Sequence, residues 1–306
     1  MKKALSILTL LLLCNSLAWS QKAGDNGFLP VFILEQKALL PEEVKETSGL
    51  FMHNGRLWTH NDSGGKPILY GLDTTTFEVV QKITFSNVKN KDWEDVCIDA
   101  ENVYVGDFGN NKGARKDLRI LFFPLSLIPT EGNATIAVDS ICFRFSDQTD
   151  FKKRKVHDFD CEAMFATDEY LYLLSKGWES GTTRLYRLPK KHGKQVAEVV
   201  NGFDSQGQIS GADYDRNNNI LVIVGYVKSI WKPFIYIIYD FDEAGINLAN
   251  HRFEMPQWTG SQIEGICFFD DGRCFVSSEA PKNFSARVFV ADFRKWIAEN
   301  RKKTHK

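Results

Sequence analysis

The chain has no excess of charge of either sign: 38 Lys and Arg stand against 39 Asp and Glu, for a net charge of −1. That balance offers no long-range attraction for a nucleic-acid polymer or an anionic membrane. The basic runs are local, at Lys152–Lys155 and Arg301–Lys306, and read as a solvated loop and a tail. No apolar run reaches the roughly 20 residues that a spanning helix needs, so no membrane span is expected. Cysteine is sparse and unpatterned. Beyond residue 20 it leaves Cys97, Cys142, Cys161, Cys267 and Cys274, an odd number with no CxxC spacing and no His at zinc-ligand distance. This argues against a zinc site. Cys267 and Cys274 flank Asp270-Asp271-Gly272, so either they join across a hairpin or all these thiols are small buried apolar groups. Also missing are a GxSxG elbow, a P-loop, HExxH, and GxGxxG after a strand, which removes the hydrolase, NTPase, zincin and dinucleotide signatures. Asp213–Asn219 starts like an EF-hand loop, but Asn218 stands where Gly is needed and Val224 where Glu is needed. It reads as a hairpin turn.

What is present begins with a leader. Lys2 and Lys3 precede the apolar run Ala4–Cys14, and Ala18-Trp19-Ser20 has the small-x-small form of a signal-peptidase site. Residues 1–20 therefore read as a secretory signal peptide, followed by a lead segment over 21–27. Leu13 precedes Cys14 where a lipoprotein signal places a small residue, so soluble export to a secreted or periplasmic location is expected. The chain as a whole is rich in apolar and aromatic residues, 43% apolar with 23 Phe and 7 Trp, a supply that suits strands around an extensive core.

One short phrase recurs five times: ETSGLFMHNGRLW, WEDVCIDAENVYV, CEAMFATDEYLYL, ISGADYDRNNNILVI and IEGICFFDDGRCFV. Each copy opens on a small polar or acidic residue, runs into an apolar strand, turns at Asn, Asp or Gly, and enters a second strand. A repeat of about 50 residues built from short strands is a signature of a β-propeller. The expectation is an all-β, five-bladed β-propeller over residues 28–297, with a basic tail over 298–306. The second blade is expected to end on the run IAVDSICFRF, and a short helix is expected over Phe293–Lys302. The last repeat offers one strand fewer than the others, and Phe28–Leu40 is expected to supply it, closing the ring and removing exposed edges.

The anchors of the phrase are Ser48, Glu94, Glu162, Ser210 and Glu264. The first strand of a blade lines the channel, so these positions converge on the axis. Carboxylates that close raise one another's pKa values, so they hold either protons or a cation. The ring offers carboxylates and hydroxyls without thiolate or imidazole, and Ca2+ is the leading candidate because it accepts roughly 6 to 8 oxygens in flexible geometry. The alternative is hydrogen bonding of the glutamates to backbone N–H groups or basic side chains.

The order Ser, Glu, Glu, Ser, Glu, with a long second interval, resembles the calcium-activated nucleotidase (apyrase) family. Local wording such as SGLFMHNGRLW, ENVYVGDFG and IEGICFF extends the resemblance loosely over residues 45–285. It implies a five-bladed propeller with calcium in the channel, and carries over Ser48, Glu94, Glu162, Ser210 and Glu264 as its ligands. The phrases HNDSGG, DWEDV, GDFGNN and ISGAD also resemble a group of secreted bacterial propeller proteins of no stated activity.

The ends of the second strands supply a second constellation: His60, Asn61, Asp62, Asp107, Asn110, Asn111, Ser175, Lys176, Tyr226 and Glu279. Around a metal, such a rim could bind a phosphate or sugar, with Asp62 or Asp107 activating water and Arg115, Lys176 and Lys228 clamping a phosphate. Turn formation alone explains many Asp, Asn and Gly residues at strand ends. Trp178 and Trp231 either stack on a ligand ring or pack between blades. Asn61, Asn133 and Asn283 begin glycosylation triplets. Two functions follow: a calcium-dependent hydrolase of phosphate-containing substrates such as nucleotides, or a non-catalytic propeller whose calcium is structural and which recognises a glycan, peptide or envelope partner. Lactonase or esterase chemistry at a channel metal is a third.

Overall fold

A computed structural model describes residues 30–246, 252–280 and 284–304. The leader, the whole lead segment, Asn283 and the last two residues of the basic tail lie outside the described residues.

Among the described residues the chain is all-β apart from one helix and three short 3-10 turns, and it is laid out as successive antiparallel meanders. After β1 (Glu35–Leu39) come β2 (Thr47–His53), β3 (Arg56–Asn61), β4 (Ile68–Asp73) and β5 (Val79–Phe85). The next group is β6 (Trp93–Ile98), β7 (Asn102–Asp107), β8 (Leu118–Pro124), β9 (Ala134–Ile136) and β10 (Asp139–Phe145). Two further meanders are β11 (Asp160–Ala166), β12 (Tyr170–Lys176), β13 (Thr183–Pro189), β14 (Gly193–Phe203), and β15 (Gln208–Asp215), β16 (Ile220–Val227), β17 (Lys232–Tyr239), β18 (Arg252–Glu254). The last is β19 (Ile263–Asp270), β20 (Arg273–Ser278) and β21 (Arg287–Asp292), followed by α1 (Arg294–Thr304).

Local sequence sets the hairpins. Asn54 and Gly55 both take positive φ, 49° and 71°, which is the twist that a two-residue hairpin turn between β2 and β3 requires. Asp215 accepts the N–H groups of Asn217 (2.9 Å) and Asn218 (3.2 Å), so the EF-hand-like stretch is the β15–β16 turn.

Apolar clusters fill the space between neighbouring meanders. Phe51, Trp58 and Ile83 of the first pack on Trp93, Val105 and Phe123 of the second. The series continues until Phe275 and Val288 pack back onto Leu57 and Leu72 of the first meander. Each fully buried Phe contributes about 1.5–3 kcal/mol by leaving water. The first strands follow the same cycle: β2 contacts β6, β6 contacts β11, β11 contacts β15, β15 contacts β19, and β19 returns to β2. This is a propeller-like layout with the first strands innermost.

Some expected strands are cut differently. The run IAVDSICFRF divides at Val138, whose N–H donates to Oδ1 of Asn87 (3.0 Å) and whose carbonyl accepts from Nδ2 of Asn87 (2.9 Å). Ahead of the clamp β9 pairs in parallel with β5, and behind it β10 pairs with β8. β10 also pairs in parallel with β14, fusing two meanders into an eight-stranded sheet. The N-terminal run is likewise split: Val31 bridges Glu254 of β18, then β1 pairs antiparallel with β21. The helix covers most of the stretch expected as a basic tail. Cys267 and Cys274 are free and buried in different clusters, and the hairpin register does not face them. Cys97 and Cys161 are buried as well, but Cys142 is exposed, so the buried-thiol alternative holds for four of the five.

Candidate metal centre

Each first strand carries a β-bulge at its anchor. In β6, β11, β15 and β19 the register skips Glu94, Glu162, Ser210 and Glu264 themselves, and in β2 it skips Gly49, next to Ser48. A bulge re-aims a side chain out of the pleat. Small residues follow most anchors because the neighbouring backbone is close: a Cβ on Gly49, which has φ of +41°, would lie 2.5 Å from the backbone N of Val96.

The serines use their hydroxyls within the ring. Ser48 Oγ donates to the Glu94 carbonyl, and Ser210 Oγ donates to the Ile263 carbonyl at 2.6 Å. Both tie one first strand to the next. Glu94, Glu162 and Glu264 are all buried, at 5%, 6% and 7% exposure. Burial raises the pKa of each, and the charge of Glu162 adds to the effect on both Glu94 and Glu264. Glu162 is pushed up to about 8 by burial, while Lys176, whose Nζ lies 2.9 Å from Glu162 Oε2, opposes the rise. Lys176 is itself buried; burial opposes its charge, but the surrounding Glu162, Tyr226, Glu264 and Asp160 together outweigh it and raise its pKa. The Glu162–Glu264 side of the ring therefore already contains a cation.

The other side does not have one so close. Carboxylate oxygens of Asp62, Asp92 and Glu94 lie within 4.8 Å of one another. Burial pushes Asp62 up to about 6, and burial together with the charge of Asp62 does the same for Asp92. Arg115 Nη1 approaches Asp92 Oδ2 only to 4.0 Å. Gly109 leaves the space that this cluster fills: a Cβ there would meet Glu94 Oε1 at 2.0 Å and Asp92 Oδ2 at 2.6 Å. Asp92 was not singled out from sequence. It lies in the connection before β6, two residues ahead of its anchor, the offset at which Glu46 precedes Ser48 and Asp160 precedes Glu162.

Most of the expected rim is occupied by internal bonds. Asp107 is fully buried between Arg115 (Nη2–Oδ1, 2.9 Å) and Arg119 (Nη2–Oδ2, 2.8 Å). Arg115 also donates to the Gly109 carbonyl at 2.8 Å. Asn110 donates its N–H to Asp160 Oδ1 (2.7 Å) and its side-chain amide to the Phe159 carbonyl (2.8 Å). Asn61 Nδ2 donates to the Glu43 carbonyl (2.8 Å), and Ser175 Oγ accepts from Arg184 N–H (3.0 Å). His60 is buried edge-on against Trp93, and burial lowers its pKa to about 4, leaving a neutral ring. Asn111 is exposed. Trp178 Nε1 donates to Asp160 Oδ2 at 2.9 Å, with Lys228 Nζ 3.4 Å from the centre of its ring, and Trp231 stacks on Tyr226 at 4.8 Å. Glu279 is half-buried and pushed up to about 7, first by burial and then by the charge of Asp62.

No family model and no curated protein matches the chain. Solved structures similar to it include Kuenenia stuttgartiensis hydrazine synthase, at 11% identity and TM-score 0.40 over 82% of this chain and 64% of that one. A putative oxidoreductase (glucose dehydrogenase) of Thermus thermophilus aligns at 8% identity and TM-score 0.46 over 85% of this chain and 99% of that one. The WD40 β-propeller domain of Doa1 aligns at 12% identity and TM-score 0.33 over 80% of this chain and 66% of that one. The chain thus spans less than two thirds of the first and third of these. Likenesses this distant bear on neither substrate nor cofactor. None of the three is a calcium-activated nucleotidase, so that resemblance rests on the residues quoted for it.

The donor set of Asp62, Asp92 and Glu94 suits a hard cation: it is all oxygen and held close in a mostly dry setting where like charges repel. A divalent ion there would offset the burial, and the smaller like-charge repulsion, that raise these pKa values.

Proposed function

We propose that the chain is an exported five-bladed β-propeller, closed by β1, that holds Ca2+ at Asp62, Asp92 and Glu94 and binds an anionic small molecule or glycan at the channel mouth. The observation that carries this reading is the approach of those carboxylate oxygens to within 4.8 Å beside a glycine that makes room for them. Ser48, Glu162, Ser210 and Glu264, the other ligands implied by the resemblance, would then act as the frame: the serines bind backbone carbonyls, and Glu162 pairs with Lys176. Bound calcium supplies positive charge that offsets anionic ligand oxygens. Lys228 and Trp178 present a cation over an aromatic face that the same ligand could meet.

Hydrolysis of a phosphate-containing substrate such as a nucleotide is the activity that the resemblance implies. Asp62 is the carboxylate left to orient water, since Asp107 is held by two guanidinium groups. That same lock, with Arg115 and Asn110 engaged in backbone bonds, favours the second reading, a propeller that binds without turnover and whose calcium is structural.

The test is thermal melting with added Ca2+ and with chelator, because a ligand bound only by the folded state raises the midpoint. Asp92→Asn should remove the calcium response, and Glu264→Gln should retain it; the reverse pattern would return the ion to the anchor ring. Phosphate release from nucleoside di- and triphosphates, present with Ca2+ and absent with chelator, separates the hydrolase from the binding module.

A further inference from the structure

On the outer edge of the fold, where β10 and β14 pair in parallel, lies a groove of about 750 Å³. Strand alternation turns Phe143, Phe145 and Ala197 inward and leaves Cys142, Arg144, Lys194 and Glu198 facing out. Lys116 and Arg187 complete a lining with four basic side chains and one acidic one. In a chain of net charge −1 this is a local concentration of positive charge. Glu198 faces Arg187 across the β13–β14 ladder, which leaves Lys116, Arg144 and Lys194 without an acid among the lining residues. Lys116 lies over Phe151 at 5.2 Å, and Arg144 Nη1 donates to the Phe145 carbonyl at 3.5 Å. Like charges gathered this way repel, and an anion spread along the groove removes the repulsion.

The lining also selects among anions. Single-stranded nucleic acid needs open aromatic faces for its bases, but Phe143 is buried and the Tyr170 ring is covered by Arg187 at 4.8 Å. An acidic peptide adding as a strand needs a free edge, but β10 and β14 bond to each other along the floor. A flexible chain of non-aromatic anionic groups meets neither obstacle, and guanidinium groups pair bidentately with sulfate, phosphate or carboxylate.

We propose that this seam binds an acidic polysaccharide, laid along β10 and β14 with its anionic groups on Arg144, Lys194 and Lys116. Cys142 provides the readout. It pairs in register with Lys194 and is exposed, whereas Cys97, Cys161, Cys267 and Cys274 are buried.

The full chain is titrated with a dextran sulfate oligosaccharide, neutral dextran, poly-glutamate and oligo-dT of matched charge, while alkylation of Cys142 by N-ethylmaleimide is followed on its tryptic peptide. Dextran sulfate should bind in a salt-sensitive way and, at about tenfold excess over its Kd, slow Cys142 alkylation about tenfold by simple occupancy. Neutral dextran should do nothing. Arg144→Glu with Lys194→Glu should abolish both effects at an unchanged melting temperature, and if that pair fails to fold, Lys116→Glu should weaken binding. Binding without protection of Cys142, tighter binding of oligo-dT or poly-glutamate, or no binding at all overturns the proposal.

Discussion

Lys176 sets its ammonium 2.9 Å from Glu162 Oε2 in a place where both side chains are buried, so this ring of first strands contains its own counter-ion. Removing one partner of such a pair leaves the other charge without compensation and costs about 3–5 kcal/mol. Lys176→Met keeps the length of the side chain and removes the charge. Glu162 can respond by taking a proton, which its already elevated pKa, about 8, makes easier at low pH. Urea unfolding in chelator should therefore show a larger loss for Lys176→Met at pH 8 than at pH 5. Equal losses at both would mean that the pair contributes packing and no electrostatics.

The convergence of the anchors was legible because repetition alone reports it: one phrase, repeated at uneven intervals, puts Glu94, Glu162 and Glu264 on first strands that contact one another in a cycle. Their bulges were half legible, in the small residues Gly49, Ala163, Gly211 and Gly265 that follow them. What the phrase could not report are contacts made once. Asp92 and Gly109 sit in connections, and the two guanidinium groups on Asp107 come from elsewhere in one meander. The Val138 break depends on a side chain, Asn87, about 50 residues earlier, so local β-propensity reads through it.

Stability without metal should fall as pH rises. Burial pushes Asp213 up to about 6 and Glu279 up to about 7, above the values near 4 of an unfolded chain. Between those limits the folded state holds protons that the unfolded state has released, so folding is favoured below pH 4 and loses ground up to pH 7. In chelator the melting temperature should decline across this window, and Glu279→Gln should flatten the upper part of the decline. A rise with pH would contradict the assignment.

Asp95 and Asp213 act as clips between adjacent first strands. Asp95 Oδ2 accepts Met164 N–H, and Asp213 Oδ2 accepts Phe268 N–H, both at 2.8 Å. Cutting either to Ala strands a buried donor, at a cost of about 1–3 kcal/mol. Asn at either position retains one acceptor and should recover most of that loss. Denaturant midpoints of the four variants decide it: if Asn is no better than Ala, the bond is incidental to packing.

Gly109 separates the cation site from the fold. A Cβ placed there would meet the ends of two side chains, Glu94 Oε1 at 2.0 Å and Asp92 Oδ2 at 2.6 Å, and those carboxylates can swing away where backbone could not. Gly109→Ala should therefore fold with a loss of at most about 1 kcal/mol, in the range of ordinary surface and rotamer adjustments. The same movement breaks the 4.8 Å cluster of Asp62, Asp92 and Glu94, so the calcium-dependent rise in melting temperature should vanish with it. A Gly109→Ala protein that melts near the parent without calcium yet gains the full calcium shift would show that the ion sits elsewhere in the channel.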